Sequence, residues 1–186
     1  MNRLLLVAFA FAFAMLTPTF AQDGKNSRVV IDTNHGKFTL ELFDEKAPVT
    51  VKNFLQYVDD KHYDGLVFHR IIADFMIQGG GYEPGMKERK TREPIKNEAG
   101  NGIANTRGTI AMARTNVADS ATSQFFINTV DNKFLDRANA KDGVGYAVFG
   151  KVTEGLDVVD AIRKVETGAR DVPVKDVVIR SVRRVK

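Results

Sequence analysis

The chain contains 186 residues with a formal net charge of +4, and 44% of the residues are hydrophobic while 27% are charged. This length and composition suit a single globular domain with a substantial hydrophobic core. The chain has no cysteine, which excludes disulfide frameworks, thiolate nucleophiles and cysteine-ligated zinc.

The first 21 residues have the pattern of a secretory signal peptide. Arg3 precedes a nearly unbroken apolar run from Leu4 to Leu16, and small residues precede a cleavage position after Ala21. The run is shorter than the roughly 20 apolar residues that span a membrane, which favours cleavage over the alternative, an uncleaved anchor. We therefore expect export without stable membrane association, a flexible segment over residues 22–27, and a folded domain over residues 28–186.

The next part of the chain predicts a β-hairpin and a helix. The segments 28–33 and 37–41 alternate between apolar and polar residues, and Asn34-His35-Gly36 between them is typical of a turn. Pro48 predicts the start of a helix, because proline is tolerated in the first helical turn. The apolar residues at positions 51, 54, 55 and 58 then lie on one face of that helix.

The remaining segments predict mostly strands. Short apolar runs indicate strands over residues 66–71, 75–79, 109–113, 123–128 and 146–152, and the polar segment 81–108 indicates a long surface loop. A second helix follows Gly155, and a last strand covers residues 177–185. Because βαβ alternation is missing, the order favours an all-β architecture, a barrel or sandwich with two capping helices.

The stretch FHRIIADFMIQGG, residues 68–80, places the charged Arg70 among apolar residues. Period-2 alternation predicts that Phe68 and Arg70 share one face of a strand, and that Met76 and Gln78 share a face of the next strand. A charged side chain among apolar residues is costly unless it has a functional role or a partner of opposite charge. Arg70 is therefore either a fixed donor in a pocket or a core arginine paired with an acid, and the spacing leaves both interpretations open.

Other catalytic arrangements find little support in the sequence. The three histidines, His35, His62 and His69, lack the i, i+4 pairing of a helix-borne metal site, and alternation places His69 on the face opposite the pocket. No carboxylate pair stands out for acid–base chemistry. We therefore expect no metal and no cofactor.

The basic residues near the C-terminus, in the segment 180–186, have two interpretations. They could contact nucleic acid or anionic lipid. Alternatively, they could keep the edge of a strand in solvent and discourage it from pairing with a strand of another molecule. No aromatic residues alternate with these charges, which favours the strand edge. We expect no binding to nucleic acid.

Four motifs in this order resemble the cyclophilin-type peptidyl-prolyl cis–trans isomerases: residues 68–80, GTIAMARTNVADSATSQFFINT at 108–129, FLD at 134–136 and YAVFGKV at 146–152. The resemblance runs from about Arg28 to the C-terminus and is closest to exported bacterial members. It implies a closed eight-stranded antiparallel β-barrel capped by two helices. It also implies periplasmic isomerisation of X-Pro bonds, and so a role in the folding of exported proteins.

The resemblance assigns site residues by motif position. Arg70 corresponds to the catalytic arginine. Gln78 and Gln124 correspond to polar groups that hold the substrate backbone, and the main chain at Ala113 and Arg114 to the segment that bonds the peptide. The wall that receives the proline ring corresponds to Phe75, Met76, Phe126 and Leu135.

Three positions depart from many eukaryotic members of the family. Phe134 replaces a tryptophan that helps to bind cyclosporin, Tyr146 replaces a histidine that lines the pocket, and Arg114 replaces an asparagine. We expect isomerase activity with weak cyclosporin binding.

The expected partners are proline-containing polypeptides, which the protein binds as a monomer. The alternative is a chaperone module that holds such segments without isomerising them, and the intact set of Arg70, Phe75, Gln78 and Phe126 favours the enzyme.

Overall fold

The computed structural model describes residues 26–185, so the predicted signal peptide lies outside the described residues. The predicted strands and helices are present, with ends shifted by a few residues, and a short additional strand over residues 87–88 occurs in the segment that was predicted to be a surface loop. The strands are β1 (Arg28–Thr33), β2 (Gly36–Leu42), β3 (Val67–Ile72), β4 (Met76–Glu83), β5 (Lys87–Glu88), β6 (Thr109–Met112), β7 (Phe125–Asn128), β8 (Val148–Glu154) and β9 (Ile179–Arg184); the helices are α1 (Pro48–Asp59) and α2 (Leu156–Ile162).

Eight of these strands form one antiparallel sheet in the order β3-β4-β7-β6-β8-β2-β1-β9, and the short β5 pairs with the end of β4. The two outer strands meet near their first residues. The amide of Phe68 donates to the carbonyl of Val177 at 2.9 Å, and the amide of Ile179 donates to the carbonyl of Leu66 at 2.8 Å. The sheet therefore forms a nearly closed barrel, which confirms the barrel prediction and excludes the sandwich.

Both helices cover the barrel with apolar residues. Helix α1 begins at Pro48, and the carboxylate of Glu98 accepts hydrogen bonds from the amides of Val49 and Thr50 at 3.1 and 2.8 Å. Glu98 thus satisfies two amides that a helix start leaves unpaired. Helix α2 follows Gly155, whose φ is +76° and whose Cβ, if it had one, would lie 2.4 Å from a backbone oxygen, so only glycine fits there.

The described fold also includes the last two residues of the predicted flexible segment. The side chain of Asn26 donates to Glu41 at 2.8 Å, and Ser27 donates to the carboxylate of Asp44 through its amide and its hydroxyl, at 2.7 and 2.8 Å. The amide of Leu42 also donates to the carbonyl of Ser27 at 2.8 Å, which extends the pairing of β1 with β2 by one residue before Arg28.

Alternating side chains divide the apolar residues into two clusters. The larger cluster fills the barrel and includes the rings of Phe54, Phe68, Phe125 and Phe149. The smaller cluster lies apart from it, and its buried members are Met76, Ala111, Phe126, Leu135 and Val148. Because Phe125 and Phe126 are successive residues of β7, they point to opposite faces of the sheet, and the smaller cluster is therefore on the outside of the barrel.

Phe68 and Arg70 do not share a face of β3. Phe68 pairs with Gly79 and Arg70 with Gln78, so His69 is an extra residue on β3, which is a β-bulge. Phe68 is fully buried in the barrel, with its ring 6.0 Å from that of Phe125, whereas Arg70 lies outside. The prediction of a shared face was wrong because period-2 alternation holds only where a strand is uninterrupted.

The burial of the inserted His69 predicts that stability depends on pH. It is 6% exposed and contacts the ring of Tyr82 at 4.6 Å, and burial lowers the pKa of His69 to about 4 from an ordinary 6.5. Below pH 6.5 the unfolded chain binds this proton more readily than the folded chain. We expect the free energy of unfolding to fall by about 2–3 kcal/mol through His69 between pH 7 and pH 4.5.

Urea unfolding of wild type and of His69→Gln at both pH values measures this contribution. Burial also lowers the pKa of His62 to about 4, so only the difference between the two proteins isolates His69. The variant should lose less stability on acidification than wild type. An equal loss in both proteins would show that His69 does not carry a buried, uncharged imidazole.

Candidate active site

A cavity of about 130 Å³ on the outside of the barrel contains most of the predicted site residues. Strands β3, β4 and β7 supply Arg70, Met76, Gln78 and Phe126, and the other lining residues come from the connections between strands. Nine of the eleven predicted residues line the cavity: Arg70, Phe75, Met76, Gln78, Ala113, Arg114, Phe126, Leu135 and Tyr146. Residues spread over 77 positions of the chain thus meet around one space.

The floor of the cavity is apolar and well packed. Met76, Phe126 and Leu135 are 2%, 4% and 7% exposed, and the ring of Tyr146 meets that of Phe126 edge-on at 5.7 Å. These side chains belong to the smaller cluster, so packing holds them in position before anything binds. The floor can receive one small apolar group and exclude water from it.

Arg70 lies at the polar side of this floor, with its side chain 42% exposed. Its Nε donates to the Oδ2 of Asp171 at 3.3 Å. Arg70 thus lines a cavity, as the first interpretation requires, and has an acidic partner, as the second requires. It is not a core residue. The nearest acid in sequence, Asp74, instead accepts a hydrogen bond from Arg163 at 3.2 Å.

Asp171 is a residue that sequence reasoning missed. It is 101 positions from Arg70, in a 3-10 turn over Ala169–Asp171, and no local motif marks it. Only the closure of β9 against β3 brings this part of the chain to the cavity.

Gln78 and Gln124 form an amide pair at the edge of the cavity. The Nε2 of Gln78 donates to the Oε1 of Gln124 at 2.9 Å. Gln124 lies directly over Gly81, where a Cβ would be 2.6 Å from the Cγ of Gln124. Gly81 therefore allows Gln124, which does not line the cavity itself, to reach Gln78.

Arg114 has a side-chain role that the sequence did not reveal. Its side chain is 2% exposed and is paired with Asp142, it donates to the carbonyl of Gly145 at 2.9 Å, and its guanidinium lies 4.5 Å from the centre of the Tyr146 ring. Hydrogen bonds from Arg114 and from two backbone amides lower the pKa of Asp142 to about 2. Arg114 thereby fixes the segment that carries Tyr146 into the cavity wall.

Ala113 and Phe134 complete the predicted set. The amide of Ala113 donates to the carbonyl of Gln124 at 3.0 Å, which joins the segment after β6 to the amide pair. Phe134 lies outside the cavity, 58% exposed, with its ring stacked on Phe75 at 5.6 Å and 30°. The two rings extend the apolar floor into an exposed rim.

A wider cleft of about 480 Å³ lies between the segments 99–104 and 136–139. Its acidic residue, Asp136, already accepts hydrogen bonds from the amide and side chain of Asn105 at 2.7 and 3.0 Å. The cleft contains none of the predicted site residues. The smaller cavity is therefore the better candidate for chemistry.

Within residues 26–185, no cluster of three or more histidine, cysteine or carboxylate side chains could hold a metal ion. None of the helices in this part of the chain is long and apolar enough to cross a membrane.

Known proteins that are similar to this chain have peptidyl-prolyl cis-trans isomerase in their names. A family model described as cyclophilin type peptidyl-prolyl cis-trans isomerase matches residues 28–184. Peptidyl-prolyl cis-trans isomerase B of Escherichia coli (strain K12) is 57% identical over 159 residues, which cover 83% of this chain and 97% of the relative. Peptidyl-prolyl cis-trans isomerase A of Dickeya dadantii is 49% identical over 185 residues, which cover 97% and 92%.

Solved structures show the same similarity. A crystal structure of a cyclophilin type peptidyl-prolyl cis-trans isomerase from Cryptosporidium parvum matches with a TM-score of 0.76 and 25% sequence identity, over 87% of this chain and 98% of that chain. A second crystal structure of that protein, in the presence of the dipeptide Ala-Pro, matches with the same TM-score.

Proposed function

The chain belongs to the cyclophilin-type peptidyl-prolyl cis–trans isomerases and has their isomerase activity, and we propose that it turns X-Pro bonds in the cavity beside Arg70. One observation carries this proposal: a half-exposed guanidinium lies at the edge of a buried apolar floor, within a single cavity. The floor of Met76, Phe126 and Leu135 receives the proline ring. Gln78 and Gln124 hold the substrate backbone next to it.

The chemistry requires only that the site favour the twisted peptide bond over the planar isomers. Partial double-bond character gives the peptide bond a barrier of about 18–20 kcal/mol. When the bond twists, the proline nitrogen loses conjugation and its lone pair becomes a hydrogen-bond acceptor. A donor aimed at that nitrogen binds the twisted state better than either planar isomer, which lowers the barrier. Arg70 is suited to this role because an arginine side chain is only ever a donor.

The energies of these contacts are of the required size. A thousandfold acceleration requires about 4 kcal/mol, and a hydrogen bond to a charged group contributes about 1.5–3 kcal/mol. Holding the proline ring still and excluding water supply the remainder. The packed floor provides both, since its residues are almost completely buried.

We further propose that the substrates are proline-containing segments of exported proteins, which the protein meets in the periplasm as a monomer. The signal-peptide pattern of residues 1–21 supports export. The alignment with the Dickeya isomerase covers 97% of the chain, so that relative has residues corresponding to most of this N-terminal pattern. We also predict weak cyclosporin binding, because Phe134 has no ring N–H, unlike the tryptophan that it replaces.

Refolding of an exported client tests the proposal. Protein recovered from the periplasm of producing cells should begin at Gln22, and it should accelerate the slow, proline-limited phase of refolding, which otherwise takes tens of seconds. Arg70→Ala should leave this phase slow. If the variant, inactive on an Ala-Pro peptide, raised the yield of refolded client as much as wild type does, the cavity would act as a chaperone and the isomerase role in folding would be rejected.

A further inference from the structure

The ion pair between Arg70 and Asp171 is expected to contribute little to the stability of the fold. Both side chains are nearly half exposed, at 42% and 43%, and they meet through one contact of 3.3 Å. Pairs of this kind contribute little to folding, because water screens the charges and both side chains lose freedom. Its effect is on geometry, since an acceptor at Nε restricts how the guanidinium plane can rotate.

The backbone next to Asp171 has an uncommon conformation. Arg170 and Asp171 have φ values of +59° and +62°, a region that aspartate tolerates but arginine rarely adopts, and such residues cluster at functional sites. The turn around them is closed by a hydrogen bond from the amide of Gly168 to the carbonyl of Val172 at 2.8 Å. The next residue, Pro173, is buried. Asp171 is therefore presented from a fixed turn and not from a mobile loop.

A β-bulge in β3 also determines the direction in which the Arg70 side chain points. The β-bulge at His69 moves Arg70 from the barrel interior to the cavity face, opposite Gln78. The β-bulge in β3 and the positive-φ turn around Asp171 thus both determine where the guanidinium of Arg70 lies. Among the described residues, Asp171 is the hydrogen-bond partner of that side chain, so both Nη groups stay available.

We propose that Asp171 is a positioning residue, which fixes the guanidinium of Arg70 through Nε so that an Nη group meets the proline nitrogen of the twisted bond. This inference rests on the proposed role of Arg70 as the donor. Asp171 does not touch the substrate and acts only through Arg70. Its removal should therefore lower kcat, because the donor is placed less well in the transition state, and should change KM little.

Two substitutions of Asp171 and one control test this role by NMR exchange on an Ala-Pro peptide. Asp171→Gly removes the carboxylate at a position where glycine is unstrained, and we expect kcat to fall about tenfold with KM within about twofold. Asp171→Asn keeps an oxygen that can accept from Nε, and we expect a loss of about threefold. Arg170→Gly makes the same backbone change one residue earlier and should keep kcat within about twofold of wild type.

Two further readouts separate this inference from the proposed function. The Nε proton of Arg70 should exchange with water faster in Asp171→Gly than in wild type. Adding Asp171→Gly to Arg70→Ala should cause no further loss of kcat. If Arg70→Ala is inactive while Asp171→Gly matches wild type, or if the two losses add, the positioning role is overturned and the role of Arg70 stands. If Arg70→Ala is fully active, the proposed function fails, and this inference with it.

Discussion

Replacing Arg70 with alanine is expected to lower kcat/KM for an Ala-Pro peptide by about one to two orders of magnitude. The substitution removes a charged donor worth about 1.5–3 kcal/mol in the twisted state, at 1.36 kcal/mol for each factor of ten. Stability should change by less than about 1 kcal/mol, because the side chain is half exposed and its ion pair with Asp171 is screened. NMR exchange spectroscopy measures the rate, and circular dichroism checks the fold.

Two other substitutions make this result specific. Arg70→Lys keeps the charge but replaces a planar fork with a flexible ammonium, so we expect it to lose most of the activity as well. Arg28→Ala removes a guanidinium of similar exposure, 37%, that pairs with Glu154 on the barrel surface, and it should remain as active as wild type. A folded Arg70→Ala protein with near-normal exchange would refute the catalytic role.

Local patterns in the sequence predicted the elements of the fold because local physics determines them. The apolar stripe after Pro48 has the period of a helix, and it forms α1 with Val51, Phe54 and Val58 buried. Alternation and short apolar runs predicted the strands. The absence of βαβ units left a barrel or a sandwich, and only the family resemblance favoured the barrel. The closure of the barrel depends on contacts between residues 65–68 and 177–179, which no local pattern encodes.

Arg70 shows where a local rule failed. Alternation placed it beside Phe68, but a bulge needs only one extra residue, and no glycine or proline in FHRII marks the position. The bulge is visible only in the pairing of β3 with β4. Arg70 nevertheless lies near Met76 and Gln78 as predicted, because the neighbouring strand β4 follows the rule through Met76, Ile77 and Gln78.

The carboxylates that hold the two arginines of the cavity were beyond sequence reasoning. Asp171 is 101 positions from Arg70, and Asp142 is 28 positions from Arg114. Each lies in a polar segment with at least one other acid, and its neighbours in the sequence do not distinguish it from that acid. The folded path of the chain brings Asp171 to Arg70 and Asp142 to Arg114. These partners could therefore be identified only from the structure.

The pair of neighbours Phe125 and Phe126 provides the second prediction with a large effect. Phe126→Ala should lower kcat/KM about tenfold or more, because the ring forms the floor that receives proline and its loss removes about 1.5–3 kcal/mol of apolar contact. Phe125→Ala should lower the free energy of unfolding by about 3–5 kcal/mol. Its ring is fully buried and meets the rings of Phe54, Tyr63 and Phe68 edge-on at 5.5–6.0 Å.

The two variants are controls for each other, because they make the same change at adjacent positions that face opposite sides of one strand. Urea unfolding and NMR exchange on both proteins should show the larger loss of stability in Phe125→Ala and the larger loss of activity per folded molecule in Phe126→Ala. If Phe125→Ala does not fold, Phe125→Leu retains enough of the core contact for the comparison. Equal activity losses would mean that proline is not bound against the outer face of β7, because only Phe126 faces the cavity.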